Sequence, residues 1–85
     1  MTITPEARMT ALVNAQPLDR LCDALLMLDT KASLDEAERL TRAVITDAIC
    51  ERCPAADAAF DAWAESDDMS VRTATLAIVA AVKAA

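Results

Sequence analysis

Thiols and carboxylates are the side chains of this chain that could do chemistry, because its 85 residues include no histidine, tyrosine or glycine. Without histidine there is no Ser-His or Cys-His nucleophile pair, no neutral-pH imidazole base, and none of the commonest metal ligand. Without glycine there is no phosphate-cradling loop and no dinucleotide fingerprint. Paired carboxylates alone can drive hydrolysis, but only when an apolar pocket pushes their affinities for protons apart. No two acids here fall into such a setting, so a non-enzymatic protein without a cofactor is expected.

The one motif-like string is Cys50-Glu51-Arg52-Cys53-Pro54. A structural zinc site takes four tetrahedral ligands, usually two such cysteine pairs or one pair with histidines. This pair would need Cys22, a carboxylate or a second subunit to complete it. A redox pair places its first cysteine at a helix N-terminus, where the dipole favours the thiolate. Cys50 falls near the end of a helix instead, at the opposite pole. Cys53 could still cap the helix that follows. Three reduced cysteines without chemistry are the reading adopted, with metal or redox use of Cys50 and Cys53 as the alternative. Spacing puts Cys22 on an apolar stripe and Cys50 on the far, accessible side of its helix.

The carboxylates are more informative. Residues 54–68 hold five acids and no cation, although the whole chain has a net charge of only −6. Asp57, Asp61 and Glu65 recur at four-residue steps, and Asp68 extends the row if the helix continues that far. On an ideal helix all four project within about 80° of one another. Like charges at this spacing cost a helix a few tenths of a kcal/mol per pair. A solvated outer face explains the stripe most simply. As a functional surface it would dock a protein partner with a basic patch, charge complementarity setting on-rate and specificity. A sharper variant is a phage-type inhibitor that mimics nucleic-acid phosphates to occupy a DNA-binding host protein. Direct nucleic-acid binding is not expected of so acidic a chain.

Two apolar residues sit on otherwise polar faces. Met27 lies opposite a leucine stripe, and Leu76 lies between Arg72 and Lys83 on the outer side of the last helix. They are the candidate contacts of a homodimer, the commonest closed assembly of soluble chains. If the first helix covers Met27, or the last is central, no partner is needed.

The elements that position these residues follow from three- and four-residue apolar spacing. Thr4-Pro5-Glu6 starts a first helix over about 5–15, with a narrow stripe of Met9, Leu12 and Val13. A second, about 17–29, carries Leu18, Leu21, Cys22, Leu25 and Leu28. A third, about 34–53, opens at Ser33 and Glu36, the spacing of a capping box. Its inner face runs from Ala37 and Leu40 through Thr41, Val44 and Ile45 to Ala48 and Ile49. Pro54 begins a fourth, about 54–65, whose Ala56, Ala59, Phe60 and Trp63 face inward, away from the acids. Ser66-Asp67-Asp68 breaks the pattern and caps a fifth, about 68–83, with Val71, Ala74, Thr75, Ile78, Val79 and Val82 inside.

Short helices with short connections make an all-α fold, a compact single-domain bundle of four to five antiparallel helices. Apolar residues form 55% of the chain, but 20 of them are alanine, so the core is thin and association is favoured. No apolar run reaches membrane-span length, and Met1 to Glu6 lacks a basic region followed by an apolar one. A cytoplasmic protein is therefore expected. Six arginines against two lysines, with alanine near a quarter, point to a GC-rich bacterial or phage genome. The expectation is a small acidic interaction or regulatory module.

Overall fold

Among the described residues, three of the five helices begin where a side chain accepts from a free backbone N–H, and the other two begin beside a proline. The computed structural model describes residues 3–85, which form five helices and, among the described residues, no strand. The all-α bundle expected from the spacing is the fold that forms. In α1 (Pro5–Asn14) the Thr4 hydroxyl accepts from the Ala7 amide at 3.1 Å, and Pro5 fills the first position. Proline costs nothing there, because its missing N–H would have no helical partner. α2 (Leu18–Asp29) starts one residue later than expected: Pro17 is its extended flank, φ −70° and ψ 156°, and its carbonyl accepts from the Arg20 and Leu21 amides.

α3 (Glu36–Arg52) corrects the expected start at Ser33 and Glu36. The capping box is real but lies two residues on, where Asp35 Oδ1 accepts from the Glu38 amide at 2.8 Å and Glu38 Oε1 accepts from the Asp35 amide at 3.1 Å. Both strings satisfy the spacing. The carboxylate wins because it caps as well as a serine and adds negative charge at the positive helix pole.

One extended residue, Cys53 (φ −132°, ψ 99°), separates α3 from α4 (Pro54–Glu65). Pro54 bars helical geometry at the residue before it, so the chain turns there without a loop. α4 ends at Glu65. The Ser66 hydroxyl donates to the Trp63 carbonyl at 2.6 Å, and Asp68 folds back to accept from the Ser70 amide at 2.7 Å. The cap of α5 (Val71–Ala84) is Ser70, beyond the expected segment Ser66-Asp67-Asp68; its hydroxyl accepts from the Thr73 amide.

α3 is the spine. α1, α2 and α4 all pack on it, while α5 packs most extensively on α4 and also on α2. Leu21, Cys22 and Leu25 meet Ile45, Ala48 and Ile49 and then Ile78 and Val79. Leu25, Ile49 and Ile78 are fully enclosed. α1 joins through Val13 and Met9, and its turn into α2 is held by Arg52, which donates to the Gln16 carbonyl at 2.6 Å. Three positions expected inside are exposed: Ala37 and Val71 in the first turns of their helices, and Leu12 near the end of α1. With a radius of gyration of 12.9 Å and extents of 42 × 29 × 21 Å, the bundle is slightly longer than a sphere of its size.

Spacing gave no hint of a polar network inside this core. Arg42 forms an ion pair with Asp29, donates to the Thr75 hydroxyl, and reaches the Val71 carbonyl at 3.1 Å. Thr75 is fully buried. The guanidinium thus ties the end of α2 and the start of α5 to the middle of α3. Among the described residues no helix is long and apolar enough to cross a membrane.

Candidate functional site

Helix α4 has two opposed faces. Ala56, Ala59, Phe60 and Trp63, at helical spacing, turn toward α3 and α5. Ala56 is fully buried and the two rings are half-buried, with centroids 5.6 Å apart. Asp57, Asp61 and Glu65 are exposed along the other side. Asp57 also lies in the first turn, where it complements the helix pole. Among the described residues none of the three forms an ion pair. Asp68 is exposed too, but it follows the end of the helix and serves the turn into α5. The expected four-acid row is thus three acids on one helix and a fourth on the loop beyond.

The thiols are described by their surroundings. Cys22 and Cys53 are buried, Cys50 is half-buried, and none of the three is joined in a disulfide. The half-burial of Cys50 corrects the expected accessible position: α4 folds back beside the end of α3 and covers part of that side. Burial first, and then the carboxylates of Asp57, Asp47 and Asp61, push its thiol above the ordinary value. Cys22 is raised likewise, chiefly by burial and then by Asp23. Neither is poised as a thiolate, the form that attacks and ligates. Cys53 stands at the first flank of α4 but its side chain makes no capping bond. Among the described residues no three Cys, Asp or Glu side chains converge as metal ligands would.

Met27 is 70% exposed and Leu76 50% exposed, so neither α1 nor any other helix covers them. They are not alone. Ile3, Leu12, Met69 and Val71 are exposed as well, which gives this small surface more large apolar residues than helical spacing had indicated.

A groove between α3, α4 and α5 escaped the sequence entirely. Its volume is about 300 Å³, and it is lined by Phe60, Trp63, Val71 and Ile78 with Arg39 and Asp47 on the α3 side. Beside it, where the α2–α3 connection meets the start of α5, a second depression is lined by Lys31, Arg39, Arg42 and Arg72, with one carboxylate, Asp29, that Arg42 pairs. The two share Arg39, Arg42 and Val71. Apolar spacing finds the inward face of each helix but not the gap left where three such faces fail to close. Only the clustering of both aromatics on α4 pointed toward this place. Compared with protein families, curated proteins and solved structures, the chain finds no significant match.

Proposed function

We propose that this protein is a non-enzymatic interaction module that docks a partner with a basic surface through the outer face of α4. The observation that carries the proposal is the state of Asp57, Asp61 and Glu65: exposed, aligned, and without an ion-pair partner among the described residues. The chain has cations to spare for such pairing, yet it commits two of them to Asp29 and Glu38 instead. Uncompensated like charges at four-residue steps weaken the helix that carries them. A partner's lysines and arginines remove that repulsion on docking, so the binding energy includes its relief. Exposed charge of this kind accelerates encounter and is screened by salt.

The test is capture from host extract with the native protein and with the Asp57→Lys, Asp61→Lys, Glu65→Lys variant. Partners retained by the first, lost by the second, and released as salt rises support docking. The same proteins on both, at every ionic strength, would refute it. A captured protein that nucleic acid displaces would narrow the reading to phosphate mimicry. Met27 and Leu76 are proposed as contacts between two copies, resting on their exposure. Function in the cytoplasm belongs to the same proposal and is checked by fractionating the host.

A further inference from the structure

We propose that the groove between α3, α4 and α5 binds a small amphipathic carboxylate: an apolar body against Phe60 and Trp63, with its anionic head toward Arg39 and Arg72. This stands apart from the docking of α4, whose acids lie on the other face of that helix.

Three observations carry it. The first is shape and chemistry. The groove offers about 300 Å³ over an apolar floor, the low end of the range that small-molecule sites occupy. The second is charge. The adjoining depression gathers Lys31, Arg39, Arg42 and Arg72, half of the eight cations in a chain of net charge −6. Arg42 is committed to Asp29 and Lys31 to Glu38. Arg39 uses its Nε–H on the Leu34 carbonyl at 3.1 Å, and Arg39 and Arg72 form no ion pair among the described residues. Their guanidinium forks therefore remain open to a carboxylate, which they match in geometry. The third is an unmet donor. Trp63 Nε1 is closed to water and has no hydrogen-bond acceptor. A shielded donor without a partner destabilises the state that holds it. The ring that bears it lines the groove, and a turn of the indole that uncovers its N–H would let a carboxylate held at the Arg39 end accept from it.

Polarity fixes how the occupant lies. Asp47 lines the same groove eight residues after Arg39, about 12 Å along the helix axis. Its carboxylate repels an anionic head from that end and leaves the Arg39 end to receive it. A cationic amphiphile has only Asp47 to meet at one end and faces Arg39 and Arg72 at the other, so it binds more weakly than the carboxylate.

The single tryptophan makes the test direct. Sodium decanoate, 1-decanol and decyltrimethylammonium, each below its micelle concentration, are titrated into ¹⁵N-labelled protein while the Trp63 indole N–H resonance and emission are followed. The expected result is saturable one-to-one binding of decanoate with a downfield indole shift. Decanol binds at least about tenfold more weakly, the loss of one charge-assisted hydrogen bond, and the ammonium binds no better than decanol. Arg39→Glu, at an exposed position, weakens decanoate by at least the same factor with helicity unchanged. Ala43→Leu, which fills the groove from an exposed site on α3, weakens all three probes. Equal affinity for acid and alcohol, an Arg39→Glu protein that binds decanoate as before, or a non-saturating response that broadens every resonance would overturn the proposal.

Discussion

Asp29 is the last residue of α2, at the negative pole of the helix, where a carboxylate is least welcome. It is tolerated because Arg42 reaches it from α3, thirteen positions along the chain, and then Thr75 from α5. Removing one partner of such a buried pair leaves an uncompensated charge, so Arg42→Ala should destabilise by about 3–5 kcal/mol. Thr75→Val, which keeps the shape and loses only an acceptor, should cost about 1 kcal/mol. Urea unfolding checks both, and an Arg42→Ala protein as stable as the native one would show that Asp29 is solvated in solution. This trio was illegible in the sequence. Nothing in three- and four-residue spacing says that a threonine on an apolar stripe serves an arginine thirty-three residues away. Cysteine chemistry was more legible, since position alone argued against a thiolate at Cys50. Because its thiol is raised by burial and by Asp57, Asp47 and Asp61, Cys50 should react with a thiol reagent at neutral pH more slowly than a short unstructured peptide of the same sequence. Asp57→Asn with Asp61→Asn should speed it. The raised thiols of Cys22 and Cys50 also favour the folded chain below the ordinary thiol range. That contribution is lost as pH climbs through their raised values, so stability should fall on the alkaline side.

At the scale of elements, Thr4-Pro5 and Pro54 could be placed from sequence because proline and a hydroxyl cap act through their immediate neighbours. Inward faces were legible for the same reason, and Leu21, Leu25, Ile45, Ile49 and Ile78 lie inside as their spacing required. Helix starts with competing caps were not. Ser33 with Glu36 and Asp35 with Glu38 are the same motif two residues apart, and only the backbone shows which amide each oxygen meets. The same ambiguity moved the start of α5 from about residue 68 to Val71, with Ser70 as its cap. Asp35→Ala should therefore cost about 0.5–2 kcal/mol, the usual loss for a helix cap, while Ser33→Ala should be nearly neutral. Matched urea melts decide this, and equal losses at the two positions would mean that α3 frays between both starts in solution. The groove was the least legible element of all, because it belongs to no helix. It exists where the faces of α3, α4 and α5 diverge around Phe60 and Trp63.

The whole molecule sets stability against interaction. Its thin core leaves Met27, Leu76 and, among the described residues, four other large apolar side chains exposed. Association would bury some of them, so sedimentation at micromolar concentration should show a dimer that Met27→Lys or Leu76→Lys shifts toward monomer; a native protein that is monomeric throughout would remove that proposal. The acids of α4 pose the sharper test, because there the requirements of folding and docking point in opposite directions. Asp57, Asp61 and Glu65 repel one another along an exposed face, each adjacent pair costing a few tenths of a kcal/mol. Asp61→Lys turns both repulsions into attractions at once, Asp57 with Lys in the favoured order and Lys with Glu65 in the weaker one. Stability should rise by roughly 0.5–1 kcal/mol, since the site is exposed and nothing in the core moves. The same substitution reverses the charge at the centre of the docking face, so partner affinity should fall and its salt dependence should flatten. A solvated face kept only for solubility gains the stability and loses no partner. A docking face gains the stability and loses its partner, and a variant that is both more stable and equally well bound would leave the acidic stripe with no role in recognition.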